Sequence, residues 1–338
     1  MNGKALVLDV CAASLLGLFS CILPGNSEVM RDDDPELLRP CQISAYLFRD
    51  ERLPPKAIVV IVHGFTQNGR SPEALALRLA QAQYMVVSLD QRGHGRWHYK
   101  AAGPASDLQG KTKRACRLVD YKASIEDLKQ LVRALKEAYP ELPLYCIGES
   151  AGGVIVAESA LSKSSGIDGI VLCSPGSRPR IYNLLWVIKD FVCNVYRLNH
   201  PVDLRRYIRK YASNDPRVVE EMIAEPLDRN ELSGRELLRT VSFIHHIKSA
   251  VKRVPDHIPL LVIQGKQDHI VQPRTVLAIV RGASARDKSL VYFPKYGHVL
   301  IGTSYIQPGV SEAITTWLDA RFRAGCLSAS RNIAPAAK

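Results

Sequence analysis

Ser150 stands inside Gly148-Glu149-Ser150-Ala151-Gly152, a G-x-S-x-G run, with a strand-like segment (142–147, LPLYCI) directly before it and a helix-like one (VIVAESAL) after it. A serine hydroxyl is a weak nucleophile and needs a neighbouring base oriented by a carboxylate. Glycines on either side let the chain turn sharply and hold the serine out at a strand end, the arrangement called a nucleophile elbow. His298, in YGHVL, follows the strand-like SLVYF and precedes the last helix-like segment. Asp268, in QGKQDHIV, ends the strand-like IPLLVIQ. Both emerge at the sheet edge that carries Ser150, as acid and base for attack on an acyl carbonyl. Read singly, Asp268 also suits a cap for a helix near Pro273, and His298 an ordinary loop histidine. Asp90 is the rival carboxylate, but it precedes the elbow in the chain. Acyl transfer also needs donors for a developing oxyanion. The N–H of Ala151 supplies one, and His63-Gly64-Phe65, after KAIVVIVH, supplies a second from Phe65. His63 itself reads as a residue that organises this loop.

These residues need a scaffold that brings strand ends together. Residues 56–63 (KAIVVIVH) form a continuous β-branched run, which suits a strand buried on both faces. Residues 84–90, 142–147, 169–173, 258–264 and 289–293 repeat the pattern. Helical spacing lies between most of them: residues 124–138 place Ile125, Leu128, Leu131, Val132 and Leu135 on one face, and residues 310–322 do the same with Ile314, Trp317 and Leu318. Alternation of this kind predicts an α/β fold, a mainly parallel, doubly wound sheet with helices on both faces.

About eighty residues separate the strand ending at Cys173 from the next at Ile258, too long for a structureless connection, so a helical cap at 177–256 is expected. The body then comprises 43–176 and 257–324, and the small, polar tail 327–338 reads as disordered. Within the insertion, residues 181–196 (IYNLLWVIKDFVCNVY) carry a wide apolar arc, fit to line an acyl channel, to enter a membrane interface or to be buried between cap and body. Arg197, His200, Arg205, Arg206, Arg209 and Lys210 follow as a basic cluster. Phospholipid head groups would attract such a cluster; a solvated helix face is the alternative.

The chain has 338 residues, with 45 Lys+Arg against 33 Asp+Glu for a net charge of +12. A hydrophobic fraction of 46 % with 23 % charged residues excludes wholesale disorder. A mean hydropathy of −0.05 excludes a polytopic membrane protein. Eight cysteines are too dilute for a disulfide scaffold, and no C-x-x-C pair gives zinc spacing, so no metal or cofactor is indicated. Cys146 and Cys173 sit in apolar strands and read as buried free thiols. The basic balance admits an anionic partner. No nucleic-acid motif or aromatic–basic stripe is present, which favours a membrane surface over nucleic acid. The insertion alone holds 15 Lys+Arg against 10 Asp+Glu, or +5.

At the amino terminus, Lys4 precedes an apolar stretch broken only by Asp9. Residues 10–23 are uncharged, too short a run for a membrane-crossing helix and suited to a leader core. Residues 1–24 therefore read as a signal, lipoprotein-like or anchoring segment, implying export or membrane association, with Cys21 as a lipidation candidate. A helix packed on a cytoplasmic body is the alternative.

The ordered set HGFTQN, LDQRGHGRW, GESAGG, QGKQDHIV and YGHVL resembles the α/β-hydrolase superfamily, and within it the monoacylglycerol lipase/lysophospholipase group. The segment 213–227 (SNDPRVVEEMIAEPL) is similar to a cap segment of that group. The resemblance covers about residues 43–324, and the order Ser…Asp…His is that of the superfamily. It implies an α/β-hydrolase fold with its cap inserted before the acid-bearing strand. It further implies a serine ester hydrolase acting through an acyl-enzyme on Ser150, with Asp268 and His298 completing the triad and Phe65 and Ala151 the oxyanion hole. Monoacylglycerols or lysophospholipids are the expected substrates, and short acyl esters the alternative. GESAGG has Glu149 where many of these lipases have His, and HGFTQN and GHVL look equally like bacterial carboxylesterases of the same fold. Minor alternatives are a proline-iminopeptidase-like peptidase, with Glu220, Glu221 or Glu225 meeting the substrate amine, and a membrane-tethered binding protein.

Overall fold

The computed structural model describes residues 6–9, 29–100, 112–113, 118–177 and 198–333, with side chains at 29–98, 118–177 and 198–325. The expected cap helix at 181–196 and Arg197 lie outside them. The fold is built on a nine-stranded sheet. In chain order its strands are β1 (Leu6–Asp9), β2 (Val29–Asp32), β3 (Ala45–Asp50), β4 (Ala57–Val62) and β5 (Tyr84–Leu89). Two short strands, β6 (Tyr99–Lys100) and β7 (Thr112–Lys113), pair apart from it. The sheet resumes with β8 (Leu144–Glu149) and β9 (Gly169–Cys173); β10 (Pro201–Asp203) and β11 (Glu231–Ser233) form a ribbon in the insertion. Strands β12 (Leu260–Gly265) and β13 (Lys288–Phe293) complete the sheet, whose order is β1-β13-β12-β9-β8-β4-β5-β3-β2.

Every pairing from β1 across to β5 is parallel, while β3 runs antiparallel to both β5 and β2. The β-branched runs of the sequence are the central strands, and their alternation feeds two cores. Ile58, Val60 and Val62 of β4 point into one, and Ala57, Val59 and Ile61 into the other. The first is closed by helices α2 (Tyr121–Ala138) and α3 (Ala151–Ser159), the second by α1 (Glu73–Gln81) and the carboxyl-terminal helix. Cys146 and Cys173 are buried free thiols on β8 and β9. Helix α2 starts three residues earlier than its apolar spacing suggests, because the Asp120 side chain accepts the Ala123 N–H at 3.0 Å and caps the first turn.

The insertion carries α4 (Arg205–Tyr211), α5 (Pro216–Ala224), α6 (Gly234–Ile244) and α7 (Ile247–Arg253). Helix α6 opens on a capping box between Ser233 and Glu236. Helices α8 (Pro273–Gly282) and α9 (Pro308–Ile333) follow β12 and β13.

Several boundaries differ from the sequence reading. The sheet begins before residue 43, because the exposed, charged β2 pairs at its edge with β3. Helix α7, expected in the cap, packs on α3 and α8, since Ile247, Ala250 and Val251 join the core under the sheet. Helix α9 continues past 327, where the tail was expected to begin, through Ile333, because no proline interrupts its helix-forming residues before Pro335. Leu6–Asp9, inside the expected leader, pairs in parallel with β13 at the opposite edge, and residues 10–28 lie outside the described residues. No helix among the described residues is long and apolar enough to cross a membrane.

Candidate active site

The parallel strands deliver three loops to one edge of the sheet, the edge at which open α/β sheets bind ligands. Ser150 follows β8, Asp268 follows β12 and His298 follows β13. Ser150 adopts φ 52°, ψ −114°, a strained backbone that turns directly into α3. The turn closes because its glycines have no side chains: a Cβ at Gly148 would lie 2.5 Å from the Gly152 carbonyl oxygen, and one at Gly152 would lie 2.3 Å from that of Val62.

The three predicted residues meet. His298 Nε2 lies 3.0 Å from Ser150 Oγ, and its Nδ1 lies 2.7 Å from Asp268 Oδ2. The carboxylate fixes the tautomer, with Nδ1–H donating to Asp268 and Nε2 free to accept from the serine hydroxyl. Asp268 also accepts from Ile270 N at 2.7 Å, Val271 N at 2.8 Å and Gln264 Nε2 at 2.8 Å. Burial opposes the charge on both partners. For Asp268 the His298 charge and these hydrogen bonds overcome it, leaving the carboxyl below its ordinary value. Burial likewise lowers His298, but the Asp268 carboxylate, with a lesser contribution from Glu149, outweighs that and holds it above 6.5.

The rival carboxylate serves elsewhere. Asp90 accepts from Ser44 Oγ at 2.5 Å, Gly69 N at 2.7 Å and the Arg96 backbone at 3.2 Å, tying the β5 loop together. His63 organises its loop: Nδ1 lies 2.8 Å from the Gly64 carbonyl and Nε2 accepts the Gln91 N–H at 3.0 Å. Burial lowers its pKa to about 4, so it is neutral near pH 7. Phe65, adjoining this loop, lines the same cavity as Ser150 and His298. Ala151 is the first residue of α3, where a helix leaves its N–H groups unpaired.

The cavity above Ser150 is overwhelmingly apolar. Leu204, Ile208, Met222, Val241 and Ile244 from the insertion, with Ile270 and Val299 from the body, form much of its wall. Glu221 and Glu225 line a separate cavity beside Arg70 and Asp228. Glu221 accepts from Thr303 Oγ1 at 2.7 Å and Ser304 N at 2.9 Å, Glu225 from Leu227 N at 3.0 Å, and Glu220 pairs with Arg209. Of the acids considered for an amine site, Glu221 therefore ties the insertion to the body, while Glu225 and Glu220 are engaged within the insertion. Among the described residues with side chains, no group of His, Cys, Asp and Glu is arranged to hold a metal ion.

Sequence reasoning missed what Glu149 and Gln67 touch. Glu149 Oε1 accepts the N–H groups of Leu300 at 2.7 Å and Ile301 at 2.9 Å, and Oε2 that of Gly302 at 3.0 Å. The departure from His at position 149 was the one available signal. Gln67 bridges Gly64 N and the Gly302 carbonyl at 2.9 and 2.7 Å.

Sheet order, elbow and the Ser–His–Asp contacts define an α/β-hydrolase. A family model described as serine aminopeptidase, S33, matches residues 53–303, and the chain belongs to that hydrolase family. It is 25 % identical to a monoglyceride lipase of Rattus norvegicus, over 79 % of this chain and 84 % of the relative. It is 24 % identical to a monoacylglycerol lipase of Mycolicibacterium smegmatis, over 78 % of this chain and 88 % of that one. Among solved structures, a carboxyl esterase of Bacillus coagulans superposes with a TM-score of 0.64 at 23 % identity, over 83 % of this chain and 94 % of its own. A monoacylglycerol lipase of Paleococcus ferrophilus superposes with a TM-score of 0.60 at 20 % identity, covering 82 % and 99 %.

Proposed function

We propose that this protein hydrolyses single-chain lipid esters, monoacylglycerols first, through an acyl-enzyme on Ser150. The observation that carries the reading is the Ser150–His298 contact at the base of an apolar cavity. Ser150 Oγ attacks the ester carbonyl while His298 Nε2 takes the hydroxyl proton, and the tetrahedral oxyanion is held by the N–H groups of Ala151 and Phe65. His298 then gives the proton to the leaving alcohol. Water, deprotonated by the same nitrogen, attacks the acyl-enzyme and releases the fatty acid. Asp268 keeps the imidazole in the required tautomer and stabilises the imidazolium.

The apolar wall suits an acyl chain, because each buried CH₂ contributes about 0.8 kcal/mol. Relatives named for monoacylglycerol point the same way. We assign the supply of substrate to a membrane surface, met by the exposed Arg206, Arg209 and Lys210 of α4, whose Ile208 faces the cavity. A location at a membrane surface accompanies this reading, with residues 1–24 retained, since Leu6–Asp9 pair with β13 in the sheet.

A panel of monoacylglycerols, lysophospholipids and short soluble esters, run with and without anionic vesicles, tests it. Activity that rises with acyl length on monoacylglycerols and is stimulated by vesicles supports the proposal. Turnover confined to short esters and indifferent to vesicles gives the carboxylesterase reading instead. Ser150→Ala should abolish fluorophosphonate labelling without changing the circular dichroism spectrum, and labelling that persists removes the serine assignment.

A further inference from the structure

We infer that Glu149, with Gln67, is a positioning device that locks the nucleophile, histidine and oxyanion loops into one register. The inference rests on the ester-hydrolase reading above and concerns how its groups are held.

Glu149 ends β8 and immediately precedes the nucleophile, yet its carboxylate is spent on another loop. It takes three consecutive N–H groups, those of Leu300, Ile301 and Gly302, starting two residues after His298. A carboxylate is an acceptor-only group, which is what three convergent donors require. The side chain is 1 % exposed, so no water competes for these bonds. Gly302 is the junction. Its N–H goes to Glu149, and its carbonyl accepts Gln67 Nε2. Gln67 Oε1 in turn accepts the N–H of Gly64, next to the oxyanion residue Phe65. The approach needs glycine at 302, since a Cβ there would lie 2.1 Å from Gln67 Nε2. On its other side the histidine loop is held by the insertion, where Val299 N donates to the Ala212 carbonyl at 3.0 Å.

The strut therefore runs from the residue before Ser150, through the loop behind His298, to the loop that carries Phe65. Misplacement by about 1 Å can cost on the order of 100-fold in rate, so a device that ties three loops acts on turnover more than on binding. Glu149→Gln keeps size but substitutes an NH₂ for one acceptor, placing donor against donor and removing a charge near His298.

The test compares wild type, Glu149→Gln, Glu149→Asp and Gln67→Met. The readouts are the fluorophosphonate labelling rate, and kcat and KM on p-nitrophenyl butyrate across pH, with thermal melts reporting the fold. For Glu149→Gln we expect kcat and labelling to fall by about 10- to 100-fold with KM within about threefold, and the acidic limb of kcat/KM to move to lower pH. Glu149→Asp restores the limb toward wild type, because the charge returns, but not the full kcat. Gln67→Met lowers kcat by about tenfold and leaves the limb in place. A folded Glu149→Gln protein that keeps its labelling rate within twofold, or that changes only in KM, overturns the inference. If Glu149→Gln does not fold, Gln67→Met decides alone, and a kcat within twofold of wild type overturns it. Failure of the wild-type enzyme to label would instead sink the ester-hydrolase reading.

Discussion

Arg229 and Glu236 pair at 2.7 Å with their side chains only 3 % and 1 % exposed, and the pair fastens the insertion to the body. Arg229 Nη1 also donates to the Gly93 carbonyl, and Glu236 Oε1 accepts the Val119 N–H. The Arg229 backbone N–H bonds the Thr66 carbonyl at 2.7 Å, one residue beyond Phe65. Burial alone would raise the Glu236 carboxyl, but the Arg229 guanidinium holds it below its ordinary value. Breaking such a pair from one side strands the other charge, at a cost of about 3–5 kcal/mol. Arg229→Met and Glu236→Gln should each lower the urea midpoint accordingly. The double replacement Arg229→Met/Glu236→Gln should lose clearly less than the sum of the singles. Additive losses in that cycle would show that the two charges do not act as a pair.

Stability should fall on mild acidification. His63 has its pKa lowered from 6.5 to about 4 by burial, and His94, buried beside it, is lowered in the same direction. The unfolded chain therefore binds protons that the folded one refuses. Their contribution is intact above pH 6.5 and is lost as pH falls from 6.5 through 4. For His63 alone this amounts to about 3 kcal/mol. His298, raised above 6.5, and the Glu149 and Asp228 carboxyls, both raised by burial, work in the opposite sense and offset part of it. Urea unfolding at pH 7.5 and pH 4.5 should show a lower midpoint at the acid pH with the slope unchanged. A His63→Asn variant whose midpoint falls as much between the two pH values as that of the wild type would mean that this buried imidazole does not exclude protons.

Much of this was legible in the sequence, for a reason particular to the parallel sheet. In β4, β8, β12 and β13 a buried strand reads as a largely unbroken apolar run, and the groups proposed for catalysis sit where the run stops. Ser150, Asp268 and His298 all follow that rule. The antiparallel strands β2, at the sheet edge, and β3, beside it, do not, since VMRD and AYLFRD mix charged with apolar residues. Nor does any spacing rule tie Glu149 to Gly302 or Asn68 to Asp228, because these bonds join residues more than 150 positions apart. The end of the cap near α7 is not legible, because a short helix with Ile247, Ala250 and Val251 on one face reads alike in a cap and on a body.

On the proposed mechanism, the Asp268–His298 pair should set the pH dependence of turnover. The base must be neutral to accept the serine proton, and His298 titrates above 6.5 because of Asp268. The acidic limb of kcat/KM for a soluble ester should therefore lie above pH 6.5, with activity lost as pH falls through it. Asp268→Asn removes the acceptor for Nδ1–H and favours the wrong tautomer, at a cost of about 10⁴-fold in kcat. A limb at or below pH 6 in the wild-type enzyme would contradict the coupling.

Chain-length preference should reside in α6. Val241 and Ile244 face the cavity from this helix, and Ile244 touches the loop carrying Gly176, where a Cβ would lie 3.0 Å from its side chain. A bulky residue there fills space that a long acyl chain needs and leaves the scissile carbonyl, beside Ser150, undisturbed. Discrimination by one methylene in an apolar pocket is worth about 1–3 kcal/mol, so loss of room for several is easily measured. Val241→Trp should lower kcat/KM for a long-chain monoacylglycerol by at least about tenfold while a four-carbon ester stays within about threefold. The labelling rate with a small fluorophosphonate should hardly change, since the probe reports only the triad. If long and short esters fall in parallel, the insertion covers the site without sorting chains, and acyl selectivity belongs to some other wall.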